Sequence, residues 1–204
     1  MRFIYGTGNQ GKVNQVKDFF RTQNVELDIL SLKDIGFDEE IEENGETFEE
    51  NSMIKAKAIK AYCDKKGINE IILTDDAGLC VDALGGRPGV LSARYAGDHA
   101  PQEVVINKLL EELKDVPEGA RTAKFVCVLT VIMPDGETFA VKRENKGRIP
   151  LKPGKMGKLT YNPIFIVDGF DKVMSEIPDE ELGKTHREKA MIEVIKEIQK
   201  RIKQ

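Results

Sequence analysis

Cysteine is scarce in this sequence, and the few cysteines do not form a metal-binding pattern. The 204 residues contain three of them, Cys63, Cys80 and Cys127. They are far apart and odd in number, and Cys80 and Cys127 stand in apolar runs. We therefore expect buried free thiols rather than a disulfide framework or a zinc site.

Long hydrophobic runs and a dominant positive charge are also missing. No stretch approaches the roughly 20 apolar residues that span a bilayer, and the first residues do not resemble a secretory signal. The formal net charge is −4, which argues against the broad basic field that binds a nucleic-acid polymer. We expect a soluble, cytoplasmic protein that binds neither a membrane nor a nucleic-acid polymer.

Strand-like and helix-like segments alternate from the start of the chain, without an internal repeat or a low-complexity linker. Apolar periodicity predicts strands over residues 2–5 and 25–30, with a helix between them. Thr47 and Glu50 have the spacing of a capping box, which predicts a helix through about Lys65 that Gly67 closes. The next apolar run, "IILT", predicts a short strand with Asp75-Asp76 at its C-terminal end.

The second half of the chain continues this alternation around a hairpin. A helix is predicted over residues 104–113, and the runs "AKFVCVLTVIM" and "ETFAVKREN" flank Pro134-Asp135-Gly136, a turn signal. "PIFIV" predicts a last strand, and the capping pair Thr185 and Glu188 begins a terminal helix. Its apolar face is Met191, Ile195, Ile198 and Ile202. The pattern favours one α/β domain over residues 1–204 with a mixed sheet.

The loop "GTGNQGKV" after the first strand nearly completes two nucleotide-binding patterns. Gly6, Gly8 and Gly11 fit the dinucleotide fingerprint G-x-G-x-x-G, which also needs an acidic residue about 20 positions later at the end of the next strand. Glu26 and Asp28 lie near that distance, but inside the second predicted strand. This position disfavours a dinucleotide site.

The same loop also approximates a P-loop. Gly6, Gly11 and Lys12 fit G-x-x-x-x-G-K, but Val13 replaces the Ser or Thr whose hydroxyl binds Mg²⁺. Backbone N–H groups and Lys12 still suit phosphate oxygens. The missing hydroxyl argues against a P-loop ATPase.

A third interpretation is a phosphate-binding loop whose metal is held by carboxylates elsewhere in the chain. Mg²⁺ commonly takes one or two carboxylates together with phosphates and water, and Glu42, Glu43, Asp75 and Asp76 supply candidates. Adjacent residues on an extended chain point to opposite sides, so one Asp can face the ligand while the other orients a neighbour. On these residues alone, either acidic cluster is equally well explained as a solvated loop.

A set of longer motifs resembles one known family. "TGNQGK", "ETFEENSMIKAKA", "DDAGLCVDALGGRPGVLSARYAG", "YNPIF" and "THR" resemble the inosine triphosphate pyrophosphatase family, also called XTP/dITP diphosphatases, from Tyr5 to Ala190. The resemblance implies an elongated, two-lobed α/β fold with a mixed sheet and a cleft between the lobes. It also implies a Mg²⁺-dependent homodimer that hydrolyses ITP, dITP or XTP to the monophosphate and pyrophosphate.

Site residues follow from the resemblance at the matching positions. Asp76 is expected to act as general base and metal ligand with Asp75 beside it, and Glu43 as the other metal ligand. Asn51 and Lys55, four residues apart, share a helix face, and His186 and Arg187 match the pair that lines the base pocket. The substrate-binding set is Thr7, Gly8, Asn9, Lys12, Asn51, Lys55, Ala77, Leu159, Tyr161, Asn162, Lys184, His186 and Arg187.

Departures from the family pattern cluster in the base-recognition half. The usual Phe-Gly-Tyr-Asp-Pro is Leu159-Thr160-Tyr161-Asn162-Pro163, so an aromatic ring and a carboxylate are lost. Ala77 replaces a serine, and Lys184 is the nearest substitute for a missing lysine. Two alternatives therefore stay open: the same chemistry with a shifted base specificity, or a nucleotide-binding sensor without catalysis.

Overall fold

Strands and helices alternate along the chain as the sequence predicts. The computed structural model describes residues 2–8, 10–22, 28–157 and 159–202. Its strands are β1 Arg2–Tyr5, β2 Asp28–Ser31, β3 Ile71–Val81, β4 Thr122–Ile132, β5 Thr138–Arg148 and β6 Ile166–Val167. Its α-helices are α1 Gln10–Thr22, α2 Phe48–Lys66, α3 Gln102–Glu112, α4 Asp179–Leu182 and α5 His186–Ile202. In this described part of the chain, no helix combines the length and the apolar character that crossing a membrane requires.

The six strands form one mixed sheet in the order β2-β1-β3-β4-β5-β6. Strand β1 runs parallel to both of its neighbours, so that Ile4 pairs with Leu30 on one side and with Ile72 on the other. Strands β5 and β6 are antiparallel. The predicted α/β class and mixed sheet are confirmed, whereas the elongated shape and the cleft stay predictions.

The chain divides into two compact units. Unit 1 comprises Met1–Asp76, Val128–Lys142 and Ala190–Gln204, and unit 2 comprises Ala77–Cys127 and Arg143–Lys189. Neither unit is continuous in sequence, because β3, β4 and β5 each contribute residues to both. That they form a single inseparable domain over residues 1–204 stays a prediction.

Each unit has its own buried apolar cluster. In unit 1, Ile4 of β1 and Ile72 of β3 pack with Ala56, Ile59 and Cys63 of α2. The cluster of unit 2 gathers side chains from β3, α3 and the segments on either side of β6; it includes Leu79, Ile106, Leu109, Tyr161 and Phe165. These clusters hold α2 against the sheet in one unit and α3 with the 161–165 segment in the other.

Helix α2 forms where the local signals predict it. Thr47 accepts a hydrogen bond from the backbone N–H of Glu50, and the Glu50 side chain accepts in return from the N–H of Thr47. Gly67 ends the helix with φ of 68°, a left-handed conformation that glycine adopts at little cost. The predicted capping box and C-terminal glycine are confirmed.

The predicted end of β3 was wrong. Asp75 and Asp76 lie in the interior of an eleven-residue strand, because the chain stays extended and largely buried to Val81. Gly78 permits this continuation: a Cβ there would stand 2.4 Å from Ser92 Oγ. The close approach of that distant segment is invisible in the local pattern "DDAG".

Two other element predictions need adjustment, and a third is tested only in part. The described part of the second strand is Asp28–Ser31, and residues 25–27 of the prediction lie outside the described residues. The "PIFIV" segment is a 3₁₀ turn, Asn162–Ile164, followed by a two-residue strand. On α5, Ile202 is 56% exposed rather than buried. As predicted, none of the three cysteines forms a disulfide, but Cys80 is only half-buried.

Candidate active site

Two carboxylates of unit 1 share one ammonium group. Lys55 Nζ donates to Glu43 Oε2 at 2.8 Å and lies 3.9 Å from Asp76 Oδ1. The side chains of Lys55 and Asp76 are each 13% exposed and that of Glu43 is 35% exposed. A single cation thus reaches both carboxylates at a place largely shielded from water, where charge–charge interactions are stronger than at the surface.

Buried hydroxyl groups set the distance between Lys55 and Asp76. Ser52 Oγ and Thr74 Oγ1 lie 3.2 Å apart, and Thr74 Oγ1 donates to the Ser52 carbonyl at 2.7 Å. Both residues are fully buried. Because Ser52 precedes Lys55 by less than one helical turn and Thr74 precedes Asp76 by two residues, this contact fastens α2 to β3 beside the charged groups.

Asp75 has surroundings quite different from those of Asp76. The Tyr5 hydroxyl donates to its Oδ1 at 2.9 Å, and Lys12 Nζ lies 3.8 Å from its Oδ2. Its side chain is 3% exposed. Successive residues of a strand point to opposite sides, so one carboxylate turns to Lys55 while the other holds Tyr5 and Lys12.

The glycine loop connects β1 to α1, and its first glycine is required for packing. A Cβ on Gly6 would lie 2.6 Å from both Ile59 Cδ1 and Thr74 Cγ2. The backbone N–H of the buried Thr7 donates to the Tyr5 carbonyl at 2.7 Å, and Gly8 is exposed. Lys12 lies in the first turn of α1.

Three more residues of this loop and of the dinucleotide pattern are Asn9, Glu26 and Asp28. Asn9 and Glu26 lie outside the described residues. Asp28, the other acidic candidate of that pattern, pairs with Arg2 at 2.6 Å.

Oxygen ligands for a divalent cation are present in unit 1. Glu43 and Asp76 each have an oxygen near the Lys55 ammonium, at 2.8 Å and 3.9 Å, so two carboxylates are available at one place. Among the described residues, no group of three or more His, Cys, Asp or Glu side chains forms a metal site by itself. This donor set fits Mg²⁺, which takes its remaining ligands from phosphates and water.

Unit 2 contains the predicted base-recognition residues. The ring of His186 stacks on Phe125, with centroids 5.3 Å apart and planes within 6°. Thr185 and Glu188 make the reciprocal hydrogen bonds of the predicted capping box at the start of α5. The imidazole is therefore held flat against an aromatic ring at a helix N-terminus, and Arg187 follows it, half-buried.

The 159–162 segment is held at two points. Gln102 Nε2 donates to the carbonyls of Leu159 at 2.8 Å and Thr160 at 3.3 Å. The Tyr161 hydroxyl donates to the Ser92 carbonyl at 2.7 Å, and burial raises the pKa of Tyr161, which keeps this donor protonated. The Tyr161 ring packs in the core of unit 2, whereas the Leu159 side chain is 58% exposed.

The other predicted residues of unit 2 lie at more varied positions. Asn162 is half-buried at the start of the 3₁₀ turn, and Ala77 is half-buried within β3. Lys184 is exposed, and its carbonyl accepts from Asn145 Nδ2 at 3.5 Å. Asn145 also accepts from Lys189 Nζ at 2.6 Å, so it braces the chain before and after the capping box.

The predicted residues therefore fall into two groups, one in each unit. The first contains the charged and phosphate-type side chains of unit 1, namely Thr7, Gly8, Lys12, Glu43, Asn51, Lys55, Asp75 and Asp76. The second is Ala77, Leu159, Tyr161, Asn162, Lys184, His186 and Arg187 of unit 2. Sequence reasoning missed Tyr5, Gln102 and Phe125. Of these, only Tyr5 had a signal, its place beside the glycine loop at the end of β1.

Similarity to known proteins covers nearly the whole chain. The family model described as the Ham1 family matches residues 3–197. The chain belongs to the Ham1 family. A dITP/XTP pyrophosphatase of Bacillus subtilis (strain 168) is 43% identical over 189 residues, covering 92% of this chain and 92% of that protein. A dITP/XTP pyrophosphatase of Clostridium perfringens is 39% identical over 192 residues, covering 93% of each.

Solved structures of Ham1 proteins have the same fold. The Staphylococcus aureus Ham1 protein superposes with a TM-score of 0.84 at 34% identity, over 98% of this chain and 100% of that one. A HAM1 protein from Coxiella burnetii gives a TM-score of 0.83 at 26% identity, over 98% and 99%. The family resemblance seen in the sequence motifs is confirmed.

Proposed function

We propose that this Ham1-family chain hydrolyses ITP, dITP and XTP to the nucleoside monophosphate and pyrophosphate. The observation that carries the proposal is the shielded ammonium shared by Glu43 and Asp76, in a chain about 40% identical to proteins named dITP/XTP pyrophosphatases. In this cluster the carboxylates can bind a cation and orient a water molecule, and the lysine can bind a phosphate group. Removal of deaminated purines from the nucleotide pool is the corresponding role.

Binding of the triphosphate is assigned to the cations and N–H groups of unit 1. A triphosphate with close to four negative charges needs several charge-assisted donors at one place. Lys12 on α1 lies near the Asp75 carboxylate, and Lys55 on α2 lies near the Glu43 carboxylate. Asp75, which lies 3.8 Å from Lys12 Nζ, orients that lysine.

Hydrolysis is proposed to begin with water attack at the α-phosphorus. Asp76 orients the water molecule and accepts its proton, while the α–β phosphoanhydride bond breaks and pyrophosphate leaves. Glu43 and Asp76 would hold Mg²⁺, which when bound would neutralise negative charge on the phosphates. Lys55 stabilises the negative charge that develops on the leaving group.

Base recognition is proposed for the residues of unit 2. His186 and Arg187 offer donors to a purine carbonyl, and the stacking of His186 on Phe125 supports this by fixing the ring. A site built around a keto oxygen disfavours the amino analogue, because its donors are then left unpaired. This preference separates hypoxanthine and xanthine from adenine.

A cytoplasmic homodimer belongs to the same proposal. The family resemblance supports the dimer, and the free thiols are typical of a reducing compartment. Light scattering after size exclusion should give about twice the 22.8 kDa of one chain. A mass of one chain at micromolar concentration would contradict the dimer.

A hydrolysis panel tests the function. The panel covers ITP, dITP, XTP, the standard NTPs and dNTPs and modified pyrimidine nucleotides, with Mg²⁺ present and pyrophosphate and phosphate measured separately. We expect pyrophosphate from ITP, dITP and XTP. Asp76→Asn should lower kcat by about 10²–10⁴-fold, the usual contribution of a general base. Asp38 is exposed in the acidic loop, the segment between β2 and α2, and Asp38→Asn should leave kcat unchanged.

Two other outcomes would replace the proposal. Pyrophosphate release from a different nucleotide would indicate a shifted base specificity, centred on Leu159 and Asn162. Nucleotide binding without turnover, even in excess Mg²⁺, would indicate a sensor. Full activity of Asp76→Asn would remove Asp76 from the mechanism.

A further inference from the structure

Side chains of helix α2 bind the end of the acidic loop by accepting hydrogen bonds from three consecutive backbone N–H groups. Asn51 Oδ1 accepts from Gly45 N at 2.8 Å. Glu50 Oε2 accepts from Glu46 N at 2.7 Å and from Thr47 N at 3.0 Å. The capping box explains the contact to Thr47 alone, so the other two hydrogen bonds extend the attachment into the loop.

The loop backbone lies directly on the helix at Gly45. A Cβ there would stand 2.8 Å from Asn51 Oδ1 and 2.7 Å from Glu50 Cβ. Asn51 is 2% exposed, and its oxygen is occupied by the loop. These observations favour a structural contact for Asn51 over the direct substrate contact that the sequence predicts.

The same helix face holds Glu43. Asn51 and Lys55 are four residues apart and lie one above the other, about 6 Å along the helix. Gly45 and Glu43 are two residues apart, which spans about 6.4–6.8 Å in an extended chain. The two spacings nearly match, so holding Gly45 at Asn51 sets the Glu43 carboxylate beside Lys55, where the 2.8 Å contact is found.

We propose that Asn51 is a positioning residue that presents Glu43 to the divalent cation. It acts through the loop and touches neither the substrate nor the metal. The inference rests on the proposed function, because the cation and the nucleotide are those of that reaction. Partners that orient a metal ligand typically contribute about 10–100-fold to metal affinity.

Two variants of Asn51 distinguish the effect of its hydrogen-bond acceptor from the effect of its side-chain shape. Asn51→Leu keeps the branching of the side chain at Cγ but removes the acceptor, whereas Asn51→Asp retains an oxygen that accepts from Gly45 N. The probe is Mn²⁺, whose free concentration is measured by electron paramagnetic resonance with α,β-methylene-dITP present. We expect Asn51→Leu to weaken Mn²⁺ binding by about 10–100-fold and Asn51→Asp to stay near wild type.

A second readout distinguishes positioning from loss of stability. In Asn51→Leu, the Mn²⁺ concentration for half-maximal dITP hydrolysis should rise, while the rate at saturating Mn²⁺ should return toward that of wild type. Cys63 is buried near the other end of α2, so Cys63→Ala is the control for lost stability. It should lower the melting temperature without changing Mn²⁺ affinity. Gly45→Ala, whose methyl displaces the loop from Asn51, should weaken Mn²⁺ binding as Asn51→Leu does.

The proposal is overturned if Asn51→Leu and Gly45→Ala bind Mn²⁺ as tightly as wild type, or if Cys63→Ala weakens binding equally. If Asn51→Leu does not fold, Gly45→Ala decides by the same measurement. A wild-type chain that binds Mn²⁺ and the analogue but hydrolyses no nucleotide contradicts the proposed function. In that case a weaker Mn²⁺ affinity in the variants still supports the positioning role.

Discussion

Leu159 is a single residue whose replacement tests base recognition. Its side chain is 58% exposed, on a segment that Gln102 and Tyr161 hold in place. An aromatic ring stacked on a base contributes about 1–3 kcal/mol, or roughly 5- to 150-fold in affinity. We expect Leu159→Phe to lower KM for dITP and XTP within that range, with kcat little changed.

A matched control for this prediction is Leu151→Phe, which adds the same ring at another exposed position of unit 2, 53% exposed. It should leave KM unchanged. Equal relative kcat/KM values across bases for Leu159→Phe and wild type would show that residue 159 does not contact the base.

At the scale of secondary-structure elements, the contact between α2 and β3 depends on two buried hydroxyls. Thr74→Val keeps the shape of the side chain but removes the donor to the Ser52 carbonyl and one of two partners of Ser52 Oγ, which still donates to the Thr74 carbonyl at 3.3 Å. Leaving buried polar groups unpaired costs about 1–3 kcal/mol. Urea denaturation should show a loss of unfolding free energy of that size, together with a lower kcat/KM because Lys55 and Asp76 are displaced.

Thr130→Val on β4 is the control for this prediction. Thr130 is fully buried, and within the described part of the chain its Oγ1 has no hydrogen-bond partner. The same substitution there removes no hydrogen bond, so its effect on the unfolding free energy should be near zero or stabilising. Equal losses at the two positions would mean that the hydroxyl pair does not fasten α2 to β3.

At the scale of the whole molecule, unit 1 depends on the C-terminal segment of the chain. Helix α5 buries Ala190, Met191, Val194, Ile195 and Ile198. A large apolar side chain contributes about 1.5–3 kcal/mol when fully buried, so four of them approach the 5–15 kcal/mol that stabilises a typical protein. A chain ending at Lys189 should lose its cooperative unfolding transition and its near-ultraviolet circular dichroism.

A chain ending at Arg201 retains every buried residue of α5 and should unfold like the full chain. Cooperative unfolding of the chain that ends at Lys189 would show that unit 1 is stable without this helix. Because the buried face is lost completely, a small shift in melting temperature is not the expected outcome.

Features with local causes were predictable from the sequence. The capping boxes at Thr47 and Thr185 form because each pairs a hydroxyl and a carboxylate three residues apart, a geometry that the first helical turn closes without help from the rest of the chain. The parallel start of the sheet follows from a strand, a helix and a second strand in succession. The charged side chains that gather in unit 1 were also identifiable as candidates, because lysines and carboxylates are the side chains that phosphates and cations attract.

Contacts between distant residues were decided by the tertiary structure. Asp75 and Asp76 lie within β3 rather than at its end, because Ser92 packs against Gly78 and keeps the strand extended. The partner of the Asn51 oxygen is a loop N–H, and the ring beneath His186 comes from Phe125, sixty-one positions earlier in the chain. The sequence alone determined which chemical groups are available and which segments are helical or extended, since caps and periodicity act over a few residues. Only the folded chain decided which oxygen meets which cation, because those distances depend on how α2, β3 and the acidic loop pack together.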